Sequence, residues 1–177
     1  MFKDFDITPF KKMKPPVDSG YTTRTEINEL KKIPLNKSFV KKFDNQEKAF
    51  KETAEREGIK DYDSSIAKKL IEKSAPVIMK LKKHHDRPRP YELDKKLNAV
   101  VLKSMQTPSY PSGHSVQGFL IGAYLSDKYP KSRKGFMNTA KNISYSRRVA
   151  RAHYKSDSKM GEQLGNSMYK HIKNKQK

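Results

Sequence analysis

The stretch YPSGHSVQGFLIGAYLSDK, Tyr110–Lys128, decides the fold class. Ser112 is a residue type that caps helices, because its hydroxyl accepts from a free amide of the first turn. The apolar run behind it predicts a helix reaching about Lys128. Gly118 and Gly122 lie one turn apart on that helix. A helical Gly costs roughly 1 kcal/mol relative to Ala, and close approach of a neighbouring helix is the natural return. The run VQGFLIGAYL is about half of what a bilayer span needs.

Working outward, the neighbouring segments are helical as well. Asn45–Glu57 is helix-forming in composition. Asp61–Ser64 offers capping residues ahead of Ile66, Leu70, Ile71, Val77, Ile78 and Leu81, spaced as one helical face. Pro76 predicts a kink or a split, and DRPRP, residues 86–90, predicts the end of that helix. A weaker pattern predicts a helix over about Leu93–Met105. After Pro130 a long segment runs through Ser146, Arg147, His153 and Asp157, and a last helix covers about Asp157–Asn174. No strand pair or hairpin signal appears. The expectation is an all-α, single-domain helical bundle over residues 43–177. Residues 1–42, with Pro9, Pro15, Pro16, Gly20 and Pro34, read as an irregular arm packed on it, with one short helix near Thr25–Lys32.

The chain has 177 residues, enough for one domain with a real core. It carries 39 Lys+Arg against 19 Asp+Glu, a net charge of +20. That field favours anionic partners: phosphates, nucleic acid or an acidic surface. The absence of Cys excludes disulfides, thiol nucleophiles and thiolate zinc sites. The N-terminus MFKDFDITPFKKMKPP lacks the apolar stretch of a secretory signal. The expectation is a cytoplasmic protein without a membrane anchor.

Three polar clusters interrupt the helices: KKHHDRPRP (82–90), PSGH (111–114) and SRRVARAHYKSD (146–157). Singly, each has an ordinary explanation. Lys and Arg near a helix end are usually a solvated face, PSGH is a cap, and His153 with Asp157 is an i,i+4 pair on one helical face. In order, they form a pattern. Lys82 is followed by Arg89-Pro90, then Pro111-Ser112-Gly113-His114, then Ser146-Arg147, His153 and Asp157. This resembles the signature of the type 2 phosphatidic acid phosphatase (PAP2) superfamily, with all eleven positions present at the family's internal spacings. That superfamily holds soluble class A acid phosphatases, membrane lipid phosphatases and vanadium haloperoxidases. The stretches DRPRPY, SYPSGHS and AHYKSD look most like the class A enzymes, and KPPVDS (14–19) is similar to their proline-rich entry segment. Lys80 with Arg87-Pro88 satisfies the first spacing too. Lys82 and Arg89 are preferred because Tyr91 then takes the aromatic place after Arg-Pro, leaving Arg87 as an auxiliary cation.

The resemblance implies a phosphatase. His153 is then the nucleophile that becomes phosphohistidine, Asp157 orients its ring, and His114 is the acid for the leaving oxygen. Lys82, Arg89 and Arg147 supply charge for the equatorial oxygens. Ser112 and Gly113 sit at a helix N-terminus, where amides face an anion. With three cations and these donors, no metal or cofactor is required, and no metal-binding spacing such as HExxH occurs. Ser146 has no assigned role. Expected substrates are soluble phosphomonoesters, nucleotides or pyrophosphate. The related soluble phosphatases suggest a homo-oligomer. The rival reading is a basic polyanion- or nucleic-acid-binding module with a vestigial phosphatase site, which the +20 charge motivates.

Overall fold

The computed structural model describes residues 1–176, and those residues contain helices and no strands. Helix α7, Gly113–Lys128, is the centre. Helix α8, Arg133–Val149, and helix α9, Lys155–Asn174, pack along two sides of it, and α5, Ser65–His85, lies across a third. The glycines set the spacing. A Cβ on Gly122 would lie 2.9 Å from the Ala140 Cβ of α8. A Cβ on Gly165 of α9 would run into the Val116 carbonyl of α7. The close approach expected on one side of α7 therefore occurs on two. Val116, Leu120, Ile121, Leu125, Phe136, Ala140, Ile143 and Leu164 are completely buried between these helices.

Helix α5 starts where expected, with Asp63 Oδ1 accepting from the Ser65 amide at 2.9 Å. It runs unbroken through Pro76, so the predicted split does not occur. The reason is orientation. Pro76 and Glu72, whose carbonyl loses its amide partner, are both exposed, on the solvent side of the helix. The helix ends at Asp86, which takes the left-handed conformation at φ 44°.

Two sequence expectations change. Residues 1–42 are more helical than the proline content suggests: α1 covers Thr8–Lys12, α2 Tyr21–Lys32, and α3, Lys37–Asp44, runs past residue 42. Helix α2 hid its face because two of its four buried residues, Thr23 and Glu26, are polar. The helix expected over Leu93–Met105 is absent. A short helix α6 spans Pro90–Leu93, and a single 3₁₀ turn covers Lys103–Gln106. Between them the chain uses its apolar residues in a satellite core, where Met105, Val100 and Leu102 join Val40, Val149, Ala150 and Ala152. The Val100 amide donates to the Ala150 carbonyl at 2.9 Å, a bond a local helix would forgo. Helix α4, Gln46–Arg56, lies where helix-forming composition was expected, and Asn45 caps it by accepting from the Lys48 amide at 3.0 Å.

Candidate active site

The third cluster folds differently from its i,i+4 reading. Helix α8 stops at Val149, and a turn with Arg151 at φ 58° leads to α9. His153 stands in that turn, outside any helix, while Asp157 is the third residue of α9. The pair still meets, with His153 Nδ1 3.0 Å from Asp157 Oδ2. The same oxygen accepts from the Tyr154 amide at 3.0 Å, a bond that caps α9. One carboxylate thus starts the helix and holds the imidazole. Arg151 ties the turn down by donating to the carbonyls of Lys31 and Ile33.

The first cluster faces this turn. Pro88 and Pro90 bias Arg87 and Arg89 towards extended backbone, and Arg89 has φ −70° and ψ 155°. Extended residues two apart point to one side. Arg89 Nη1 lies 3.0 Å from His153 Nε2, and Arg87 Nη1 lies 2.8 Å from Asp157 Oδ1. Arg89 also donates to the carbonyls of Thr107, Ala152 and Ser104. A guanidinium can only donate, so Nε2 is the bare nitrogen and the ring proton sits on Nδ1, towards Asp157.

His153 lines a cavity of about 230 Å³. Lys82, Ala75, Ile78 and Met79 of α5, Arg89, Ser104 and Thr107, and Gly113, His114 and Gln117 of α7 line it with His153. Five of the eight residues singled out from the sequence therefore share one cavity: Lys82, Arg89, Gly113, His114 and His153. Asp157 lies behind His153, completely buried. Ser112 and Arg147 are buried and are not part of the lining. Ser112 does cap α7, its hydroxyl accepting from the Ser115 amide at 3.3 Å. Arg147 is held by Ser146 Oγ at 3.0 Å and by Asp44 Oδ1 at 2.9 Å. Ser146 itself donates to the Ile143 carbonyl, so its place is to fix Arg147.

Lys82 is buried and donates to the Pro108 carbonyl. Burial, with the charge of Arg89 beside it, lowers its ammonium to about 7. Lys80 is exposed, and Arg87 is fully buried away from the cavity, so the cavity takes the Lys82–Arg89 alternative. Burial holds the His153 imidazole well below its ordinary value, and Arg89, Lys82 and Arg147 push the same way. Complete burial pushes the Asp157 carboxyl up, against the pull of Arg87, the Ser109 hydroxyl and the Tyr154 amide. His114 is lowered by burial, against the raising effect of Asp44. Its Nε2 lies 3.1 Å from the Asp44 carbonyl and 3.5 Å from Oδ1. The bonds to His114 and Arg147 lower the Asp44 carboxyl to about 2.

Residues 70–172 match the family model of the PAP2 superfamily. The chain belongs to the PAP2 superfamily. Among solved structures, this PAP2 chain is similar to the first transmembrane PAP2 type phosphatidylglycerolphosphate phosphatase from Bacillus subtilis. The TM-score is 0.61 at 15% identity, over 98% of this chain and 96% of that one, a likeness of fold. No curated protein sequence matches the chain. The narrower likeness to soluble class A acid phosphatases has no counterpart in these matches. Among the described residues no helix is long and apolar enough to cross a membrane. Nor, among the described residues, do three or more His, Cys, Asp or Glu side chains gather where they could hold a metal ion.

Spacing did not reveal Asp44, Ser109 or Glu26. Ser109 donates to Asp157 Oδ2, and its place directly before YPSGHS was the one signal available. Asp44 sits at the end of α3 with nothing in its neighbourhood to mark it.

Proposed function

We propose that this PAP2 protein is a metal-independent phosphatase that hydrolyses soluble phosphate esters or anhydrides through a phosphohistidine. Phosphomonoesters, nucleotides and pyrophosphate are the substrate classes. The observation that carries this reading is the state of His153. Its Nδ1–H is engaged by Asp157, its bare Nε2 meets Arg89, and the residue lines a cavity with Lys82 and Arg89.

An entering phosphoryl group meets two buried cations in the lining, and its oxygens replace Nε2 as the partner of Arg89 Nη1. The bare Nε2 attacks phosphorus, forming the N–P bond as the P–O bond to the leaving group breaks. Asp157 compensates the charge that grows on the ring. His114 gives its proton to the departing oxygen, so an ester releases an alcohol and an anhydride releases a phosphate. Water then attacks phosphorus, His114 takes its proton, and inorganic phosphate leaves with Nε2 bare again. Arg147 adds positive charge from outside the lining, held by Ser146 and Asp44. A cavity of about 230 Å³ has room for a phosphoryl group.

The test is phosphate release from a panel of nucleotides, pyrophosphate and sugar phosphates in excess chelator. Wild type is expected to release phosphate and His153→Ala to lose that activity. Equal activity in the two would overturn the proposal.

A further inference from the structure

Arg87 satisfies a signature spacing yet lines no part of the cavity, and it is among the most completely buried side chains in the chain. Its guanidinium spans two carboxylates. Nη1 donates to Asp157 Oδ1 at 2.8 Å and to Ser156 Oγ at 2.7 Å. Nη2 lies 3.4 Å from Glu26 Oε2 and from Thr23 Oγ1, both on α2. One face rests on the Tyr154 ring, 3.7 Å from its centroid. Glu26 in turn grips the start of α9, accepting from the Ser156 amide and hydroxyl, each at 2.7 Å.

We propose that Arg87, held from behind by Glu26, is a positioning residue that fixes the Asp157 carboxylate and, through it, the ring of His153. The division of oxygens carries this. Oδ2 takes His153, Ser109 and the Tyr154 amide, and Oδ1 takes Arg87. Without Arg87 the carboxylate loses the bond that fixes its rotation and the cation paired with it. Around Asp157 the other charged or titratable groups are His153, Lys82 of α5, Arg89, Tyr110, Tyr154 and, across Ser156, Glu26. Lys82, Arg89 and His153 line the cavity, whereas Arg87 bonds Asp157 directly from outside that lining. Lys in its place offers a point charge and not the planar fork that reaches both carboxylates.

This inference rests on the phosphatase reading of His153, and its test separates the two. Arg87→Lys, Arg87→Met and Glu26→Gln are compared with wild type and His153→Ala in phosphate release, and by nitrogen NMR of the His153 ring, which needs no activity. Arg87→Lys is expected to lower kcat roughly 10- to 100-fold, the range known for outer partners that orient a metal-bound histidine. KM stays within about twofold, because Arg87 does not touch the cavity. The acid limb of the pH profile moves to higher pH, because an Asp157 without Arg87 ionises less readily. The ring resonances shift from the pure Nδ1–H form towards a mixture of tautomers. Glu26→Gln changes each readout in the same direction and less. If Arg87→Met does not fold, the other two variants carry the test. A folded Arg87→Lys with wild-type kcat, acid limb and ring resonances overturns the proposal. Residual wild-type activity in His153→Ala overturns the phosphatase reading instead, while an unchanged ring in the Arg87 variants still decides the positioning role.

Discussion

His153 and Asp157 meet at 3.0 Å across a helix boundary, the imidazole on a turn and the carboxylate at the third position of α9. Asp157→Asn keeps the size and a capping oxygen but loses the charge that selects the Nδ1–H tautomer. We expect turnover to fall by roughly 10³- to 10⁴-fold, the scale at which losing a histidine-orienting carboxylate acts elsewhere. Burst kinetics on an activated aryl phosphate check this: the burst slows with the steady state if Asp157 serves attack.

In the proposed mechanism the pH profile follows from two imidazoles in opposite states. Attack needs His153 neutral, above its own value, which burial lowers well below the ordinary ~6.5. Departure needs His114 protonated, below its own value, which burial also lowers. The active window therefore lies on the acid side, with a rate falling as pH rises through the His114 value. A kcat/KM profile flat from about pH 4 to 9 contradicts this assignment. Replacing Asp44 by Asn removes a raising influence on His114, so the basic limb should move further down.

Lys82 trades stability for function. Its folded value of about 7 lies below the unfolded value near ~10.4, so the unfolded chain binds more protons between them. Stability from this group rises with pH across that window and is lost as pH falls towards 7. Lys82→Met should stabilise the protein at neutral pH by about 1–3 kcal/mol, flatten that slope and abolish phosphate release. Urea midpoints at two pH values measure it.

The buried cations Lys82 and Arg89 should bind a phosphate ion. Inorganic phosphate is expected to raise the melting temperature of wild type, its stability growing by about 2.7 kcal/mol at a hundred times the dissociation constant. Arg89→Ala should lose the shift. Phosphate that stabilises both proteins equally would place the anion elsewhere on this basic surface.

Two glycines should respond in opposite ways. A Cβ on Gly113 lies 3.6 Å from Ile78 and 3.9 Å from Lys82 Cε, ordinary contacts inside the cavity lining. Gly113→Ala should fold normally and lose activity. A Cβ on Gly165 meets the Val116 carbonyl and lies 3.0 Å from the Leu120 amide nitrogen. Gly165→Ala should cost about 1–3 kcal/mol or more through overpacking, with the chemistry of the folded fraction unchanged. Thermal melts paired with specific activity per folded protein separate the two.

The sequence was legible where one local rule acted. Ser112 capping α7, Asn45 capping α4 and the glycines of α7 each had a short-range cause. So did the ordered signature that placed Lys82, Arg89, Gly113, His114 and His153 in one cavity. It was illegible where the cause was distant. Glu26 finds Ser156 across 130 residues, and Arg147 finds Asp44 across 103. Pro76 broke nothing because it faces water, and residues 93–105 failed as a helix because a second core claimed their side chains. His153 looked helical by spacing, but the Tyr154–Asp157 cap starts α9 just after it.

The glycine-spaced contacts of α7 divide the molecule into a part that resists change and a part that tolerates it. The helix bearing His114 is pinned between α8 and α9 at distances that leave no room for a methyl group. The opposite wall comes from α5 side chains and from the irregular stretch holding Ser104 and Thr107. Substitutions at Ala75, Ile78 and Met79, with Lys82 kept, can reshape what enters without moving His114.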